Sequence, residues 1–221
     1  MNTTTKQVPK PKKPFFRQPL HVAYILLFIA YLVYTGLTTT DFKNWALENT
    51  LTLSLVIILV AFYDIFRFSN LSYTLIFLFT LLHMYGSQYQ YPDNPFGDWL
   101  QEEFNQSRNN YDRLVHLGFG LLLAYPMHEV LLRGFKVRRF FSYLMPMEIV
   151  LSLGALYELV EWIVADLVFK DKQRAMDFLG MQGDIWDAQK DIGIALAGAF
   201  VAMLATAAAK ELNPASKAEL K

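Results

Sequence analysis

The sequence predicts an all-α membrane protein with six transmembrane helices and both termini in the cytoplasm. Three observations predict it. First, 54% of the 221 residues are hydrophobic and 15% aromatic, and they gather in blocks too long for a soluble core. Residues 22–37, 51–63, 71–82 and 195–209 contain no Asp, Glu, Lys or Arg, and crossing the hydrocarbon core takes roughly 20 mostly apolar residues. Second, runs such as Tyr24–Val33 do not alternate apolar with polar residues, as the strands of a membrane barrel must. Third, the basic residues collect on one side of the resulting topology.

Taken in order, residues 1–18 read as a disordered basic cytoplasmic tail. Its Lys10–Pro14 segment adjoins a span, where Lys and Arg fix topology and touch anionic headgroups, so it implies no nucleic acid. The first apolar run exceeds the usual core of a signal peptide and no small-x-small cleavage site follows, so it reads as a retained helix. A transmembrane domain is expected over 19–210, with spans at about 20–38, 49–66, 70–88, 112–132, 144–166 and 188–209, then a cytoplasmic tail over 211–221. The last three windows reach spanning length only if ionisable residues lie inside them. Residues 39–48, 89–110 and 167–183 are expected outside, with Asp98–Phe104 as a short amphipathic surface helix. Trp45, Trp99, Trp162 and Trp186 fit an aromatic belt at the outer boundary, and Pro126 and Pro146 kink or start helices. His21 and the His128-Glu129 pair read as interfacial.

On this topology the two tails and the connections between spans 2 and 3 and spans 4 and 5 hold 13 of the 20 Lys/Arg but 5 of the 20 Asp/Glu. Formal charge is then about +8 on that face and about −8 on the other, although the chain is neutral overall. The basic face is the cytoplasmic one. The chain has no cysteine, which excludes disulfides and thiolate metal sites, and it lacks a glycine-rich phosphate loop, a nucleophile elbow and an HExxH motif.

An ionisable side chain at the centre of a span costs about 2.5–3.5 kcal/mol, so one that is kept faces a partner or a wet cavity. Here such residues share a depth. Span 4 opens with Tyr111-Asp112-Arg113-Leu114-Val115-His116, the outer half of span 5 carries Tyr157, Glu158 and Glu161, and Gln182, Asp184, Asp187 and Asp191 lead into span 6. His83 stands at the outer end of span 3. Asp112 and His116 share a helix face at i, i+4, as do Glu158 and Glu161 at i, i+3. Asp184, Asp187 and Asp191 form one stripe if their helix begins near 184. Gly193, Ala195, Ala197, Gly198, Ala199 and Ala202 then allow close helix packing.

Three arrangements relieve the repulsion among these acids. Arg113, Arg174 and Lys190 can pair with them; two carboxylates can share a proton for acid/base work or relay; or a divalent cation can sit among them. Carboxylate and imidazole without thiolate suit Zn, Mn, Fe or Mg. His116, Glu158, Glu161, Asp187 and Asp191 are the candidate ligands, with His83 as a further one. The Glu-x-x-His pattern of di-iron bundles is missing.

The motifs Tyr111-Asp112-Arg113-x2-His116, Tyr157-Glu158-x2-Glu161-Trp162 and Gln182-Gly183-Asp184-x-Trp186-Asp187-x2-Lys190-Asp191 resemble the signature of an uncharacterised bacterial inner-membrane family typified by YjdF. The resemblance covers nearly the whole chain and implies a multi-pass protein of the bacterial inner membrane. A looser similarity is to the VanZ-like membrane family, whose Asp-Lys-x2-His helix start, later Glu and Asp-x3-Asn-x2-Gly helix are partly matched. Here Arg113 stands for the Lys, and Asp191 is followed by Ile192-Gly193-Ile194 instead of leading to that Asn. Neither resemblance implies a substrate.

The expected function is that of a membrane enzyme acting on a lipid or lipid-linked headgroup at the outer leaflet. Asp112, His116, Glu158, Glu161, Asp187 and Asp191 would bind a cation or supply acid/base groups. Arg113, Gln182, Asp184 and Tyr157 would bind or orient substrate. The competing readings are a cation or proton-coupled transporter using the same acids, and a structural or regulatory membrane protein without chemistry.

Overall fold

Each uncharged block of the sequence forms a helix in the computed structural model, which describes residues 14–211. The 1–13 part of the basic tail and the 212–221 part of the C-terminal tail lie outside the described residues. Phe15–Arg17, which the sequence assigns to the tail, make a 3-10 turn with Phe15 edge-on to Tyr63 at 5.1 Å.

Eight α-helices follow among the described residues: α1 Pro19–Thr38, α2 Phe42–Ala61, α3 Asn70–Gln88, α4 Pro95–Glu103, α5 Tyr111–Glu129, α6 Arg139–Val168, α7 Lys172–Phe178 and α8 Asp187–Glu211. A π-turn, Val130–Gly134, prolongs α5. No strand occurs among the described residues. Among the described residues, four helices are long and apolar enough to cross a membrane: α1, α2, α5 with its π-turn, and α8. The other two expected spans are the helices α3 and α6, whose His83, Gln88, Glu148, Glu158, Glu161 and Asp166 lower their hydropathy.

Two of the expected spans differ in their bounds, the second and the fifth. The second helix begins at 42 and not near 49, because Asp41 accepts from the Asn44 amide at 3.0 Å and caps it. Asn44, Glu48 and Asn49 are therefore buried helix residues and not part of a loop. The last helix begins at Asp187, in line with the 188–209 window; Asp184, whose carboxylate accepts from the Trp186 amide at 3.1 Å, stands in a turn ahead of it, so the stripe that needed a start near 184 keeps only Asp187 and Asp191. The helix at the fifth expected span, Arg139–Val168, is longer than the 144–166 window and runs through Pro146.

α5 is the hub, packed against α8, α3 and α6, and α8 also packs on α6. Small residues set the closest approach. A Cβ on Gly120 would overlap the Ala195 carbonyl oxygen, and one on Gly198 would lie 2.5 Å from the Leu117 carbonyl oxygen. Ala195, Ala199 and Ala202 complete this seam, whereas Gly193 and Ala197 face away from it. Beyond the seam lie Ala124, Val150 and Met203, with Phe119, Met127, Tyr143 and Met147 around them. α1 and α2 lie against α3, and α2 does not pack along α6.

The end of the bundle where α5 stops carries its own polar network. Buried Glu129 accepts the Ser69 amide and hydroxyl, both at 2.9 Å, and also pairs with Ser72 and Arg133, so it caps α3 from another helix. Pro146 cannot donate to the Ser142 carbonyl, as the residue four positions on ordinarily does, and His128 Nδ1 meets that oxygen at 2.6 Å instead. That bond assigns the proton to Nδ1, leaving Nε2 to accept from Lys210 Nζ at 2.8 Å.

Candidate functional site

The opposite end of the bundle gathers the ionisable residues. The Asn109 side chain accepts from the Tyr111 amide at 3.0 Å and starts α5 there, so Asp112 and His116 fall on successive turns of one face. His116 Nε2 lies 3.6 Å from Asp112 Oδ1 and 3.3 Å from Glu158 Oε1 of α6. Asp191 enters from α8: one ligand atom each of Asp112, His116 and Asp191 lies within 4.8 Å of the others. Asp191 is 1% exposed and its Oδ1 has no hydrogen-bond partner; Arg113 Nε, also without one, is 3.8 Å away.

A second group adjoins this one through Tyr157, whose ring lies 6.0 Å from that of His116. The Tyr157 hydroxyl donates to Glu48 Oε2 at 2.9 Å, and His83 Nε2 stands 4.0 Å from that same oxygen. His83 Nδ1 meets the Thr52 hydroxyl at 3.2 Å. Glu161 belongs to this side, with Glu48, Glu158 and Asp112 as its charged neighbours.

Above both groups the loops knit into a lid. Buried Arg108 pairs with Asp187 and donates to the Gly180 and Met181 carbonyls at 3.1 and 3.3 Å. Arg113 binds Asp184 at 2.5 Å and Asp187 at 3.3 Å, and Lys190 adds a 2.6 Å contact to Asp184. Gln182 bonds both the amide and the carbonyl of Asn109, at 3.0 and 2.8 Å. The Lys190 hydrogen bond, with help from the Trp186 amide and Arg113, holds the Asp184 carboxyl down to about 2. Burial pushes the Tyr91 phenol up, and that ring packs against Gly86 and Tyr111 where the loop folds back into the bundle.

Below the lid a cavity of about 400 Å³ is lined at its polar end by His83, Tyr91, Asp112, His116 and Tyr157, and elsewhere by apolar residues of α2, α3, α5 and α6.

Four of the residues chosen from sequence thus meet directly, Asp112, His116, Glu158 and Asp191. Asp187, Asp184, Arg113 and Gln182 sit in the lid, with Asp187 held by two arginines. Glu161, Tyr157 and His83 surround Glu48. Glu48 and Arg108 escaped sequence reasoning because both precede their helices' apolar runs and read as loop residues. The usable signal was Asp41, a capping residue that moves Glu48 inside α2.

A family model described as predicted membrane protein (DUF2238) matches residues 20–211. The chain belongs to this DUF2238 family. Inner membrane protein YjdF of Escherichia coli (strain K12) is 39% identical over 175 residues, spanning 78% of this chain and 82% of that protein. Both findings concern the first of the two family resemblances, and neither bears on the VanZ-like one. No solved structure matches. This member of DUF2238 is accordingly a multi-pass protein of the bacterial inner membrane, and all three motifs that carried the resemblance lie in the polar end just described.

Proposed function

We propose that the chain spans the inner membrane six times, with both termini cytoplasmic and the polar end at the outer leaflet. In this reading the 19–210 segment is one transmembrane domain, and its site is that of a metal-dependent enzyme acting on a lipid or lipid-linked headgroup. The observation that carries the reading is the convergence of Asp112, His116 and Asp191 within 4.8 Å, with Glu158 beside His116 and a buried Asp191 oxygen lacking any hydrogen-bond partner.

The donor set fits a divalent first-row metal or Mg. Three ligands about 2.1 Å from a common ion in a tetrahedral site stand about 3.4 Å from one another, so groups within 4.8 Å need to close by up to about 1.4 Å. Such an ion supplies Lewis acidity and lowers the pKa of bound water. Asp112, His116 and Asp191 would hold it, and Glu158 stands where it can take a proton from an attacking water. Arg113 balances the charge of Asp191, while Asp187 serves the lid through Arg108 and not the ion.

Support for an enzyme over a transporter comes from the apolar layer of Ala124, Val150, Ala199 and Met203 between the site and the His128–Lys210 pair at the other end. A carrier needs polar groups along its route. Metal analysis of purified protein tests the reading: bound divalent metal that is lost in Asp112→Asn and His116→Ala is expected. Uptake of a cation by reconstituted vesicles, abolished by the same variants, would replace it with transport.

A further inference from the structure

α2 and α6 each contribute to the walls of two cavities. At the start of α2 and the end of α6 a cavity of about 550 Å³ is bordered by Lys43, Asn44, Phe169, Lys170 and Arg174. Further along the same two helices lies the 400 Å³ cavity, bordered by Leu51, Leu55 and Ile58 of α2 and by Leu153, Leu156 and Val160 of α6. At a rise of about 1.5 Å per residue, Asn44 stands about 10–17 Å along α2 from Leu51 and Leu55. Glu48 and Tyr157 bridge the interval.

α2 and α6 share little backbone packing and are joined by the Tyr157–Glu48 hydrogen bond, and beyond that bond the gap between them is open sideways. Its flanks are apolar and exposed: Leu51 49%, Ile58 54%, Leu153 43% and Leu156 55%. In a membrane that opening meets hydrocarbon, whereas Arg108, Arg113 and Gln182 close the way through the lid. The first cavity is lined by three cations, Lys43, Lys170 and Arg174, and two acids, Asp41 and Asp171, a formal excess of one positive charge. Its acids Asp41 and Asp171 are engaged by the Asn44 and Arg174 amides at 3.0 and 2.9 Å. Lys43 rests over the Phe169 ring at 5.1 Å, and no described carboxylate pairs with Lys43, Lys170 or Arg174.

The geometry points to a phosphate-bearing lipid as the substrate class, entering from the bilayer between α2 and α6. Its hydrocarbon chain fills the apolar cavity and its phosphate sits among Lys43, Lys170 and Arg174. Its headgroup linkage then passes beside Glu48 and Tyr157, next to His116. This assignment rests on the proposed enzyme, but its test reads occupancy and not turnover.

Purified protein in a phosphate-free maltoside detergent is irradiated with phosphatidic acid carrying a photoactivatable acyl chain, and the adducts are mapped by mass spectrometry. Diacylglycerol with the same chain is the control. Adducts are expected on Leu51–Ile58 and Leu153–Val160, with phosphatidic acid well above diacylglycerol. Each of Lys43→Gln, Lys170→Gln and Arg174→Gln should lower them about fivefold, the factor ordinary for one cation at an anionic lipid surface. Leu55→Trp with Leu153→Trp should fill the slot and abolish them. Equal labelling by the two lipids, or labelling no denser than on the exposed Leu26, Leu27 and Ile29 of α1, overturns the assignment. Metal content of the same samples separates the two ideas: metal without slot adducts removes only this inference, and slot adducts without metal remove only the enzyme.

Discussion

Two aspartates four residues apart on α8 share Arg113 but differ in their other partners. Asp187 lies between Arg108 and Arg113, and breaking such a buried pair costs about 3–5 kcal/mol because the remaining charge is stranded. Arg108→Gln and Asp187→Asn should therefore lower the thermal midpoint in detergent sharply. Asp191 has an oxygen without a hydrogen-bond partner, grouped with Asp112 and only 3.8 Å from Arg113 Nε, so removing its charge relieves the repulsion with Asp112 at the loss of one long ion-pair contact. Asp191→Asn should raise the midpoint of metal-free protein by the equivalent of about 1–3 kcal/mol while weakening metal binding. A midpoint that falls in both variants would show Asp191 to be a structural ion-pair partner. Asp184 gives a pH signature. Its carboxyl is held down to about 2 by Lys190, Trp186 and Arg113, so its contribution is complete above about pH 4 and is lost as pH falls through 2. Wild-type and Asp184→Asn midpoints should differ by a constant amount from about pH 5 to about pH 8 and converge on acidification below about pH 4.

At the scale of helices, packing and capping correct what linear patterns suggest. The small residues of α8 announce a close-packed helix in the sequence, but their counterpart Gly120 is known only once α5 is laid against Ala195 and Ala199. Gly120→Leu and Gly198→Leu should abolish folded protein by size-exclusion chromatography, while Gly193→Leu, with open space at its Cβ, should leave it intact. Hydropathy dates the start of α2 too late because Asn44, Glu48 and Asn49 are polar yet buried, and so Glu48 escapes notice. His128 and Glu129 read as interfacial residues for the same reason: their partners, Ser142 and Ser69, are distant in sequence. The Pro146 gap yields a sharp test. His128→Phe should cost about 1–3 kcal/mol by leaving the Ser142 carbonyl unpaired, and adding Pro146→Ala, which restores a helical N–H to that carbonyl, should recover most of it. Additive losses in the double variant would remove His128 from that role.

Across the whole molecule, the helical class and the membrane setting were legible in the sequence because uncharged blocks near 20 residues have few other uses. The depth shared by Asp112, His116, Glu158 and Asp191 was legible too, since helical spacing and alternating direction locate it without coordinates. The lid was not: Arg108 and Gln182 act through loop conformations, and left-handed residues at Gln90, Tyr91 and Gln182 carry no composition signal. Charge polarity is the support for orientation, and a periplasmic phosphatase fused after Phe104 should be active while one at Lys221 should be silent. An active fusion at Lys221 would contradict the six-span topology. The most direct measurement is the divalent metal content of purified protein by plasma mass spectrometry, compared with Asp112→Asn, His116→Ala and Asp191→Asn. The account predicts about one ion per chain in the wild type and a loss of at least about tenfold affinity in each folded variant. Wild-type protein that neither retains nor takes up Zn, Mn, Fe or Mg, or variants that bind as tightly as wild type, would contradict it.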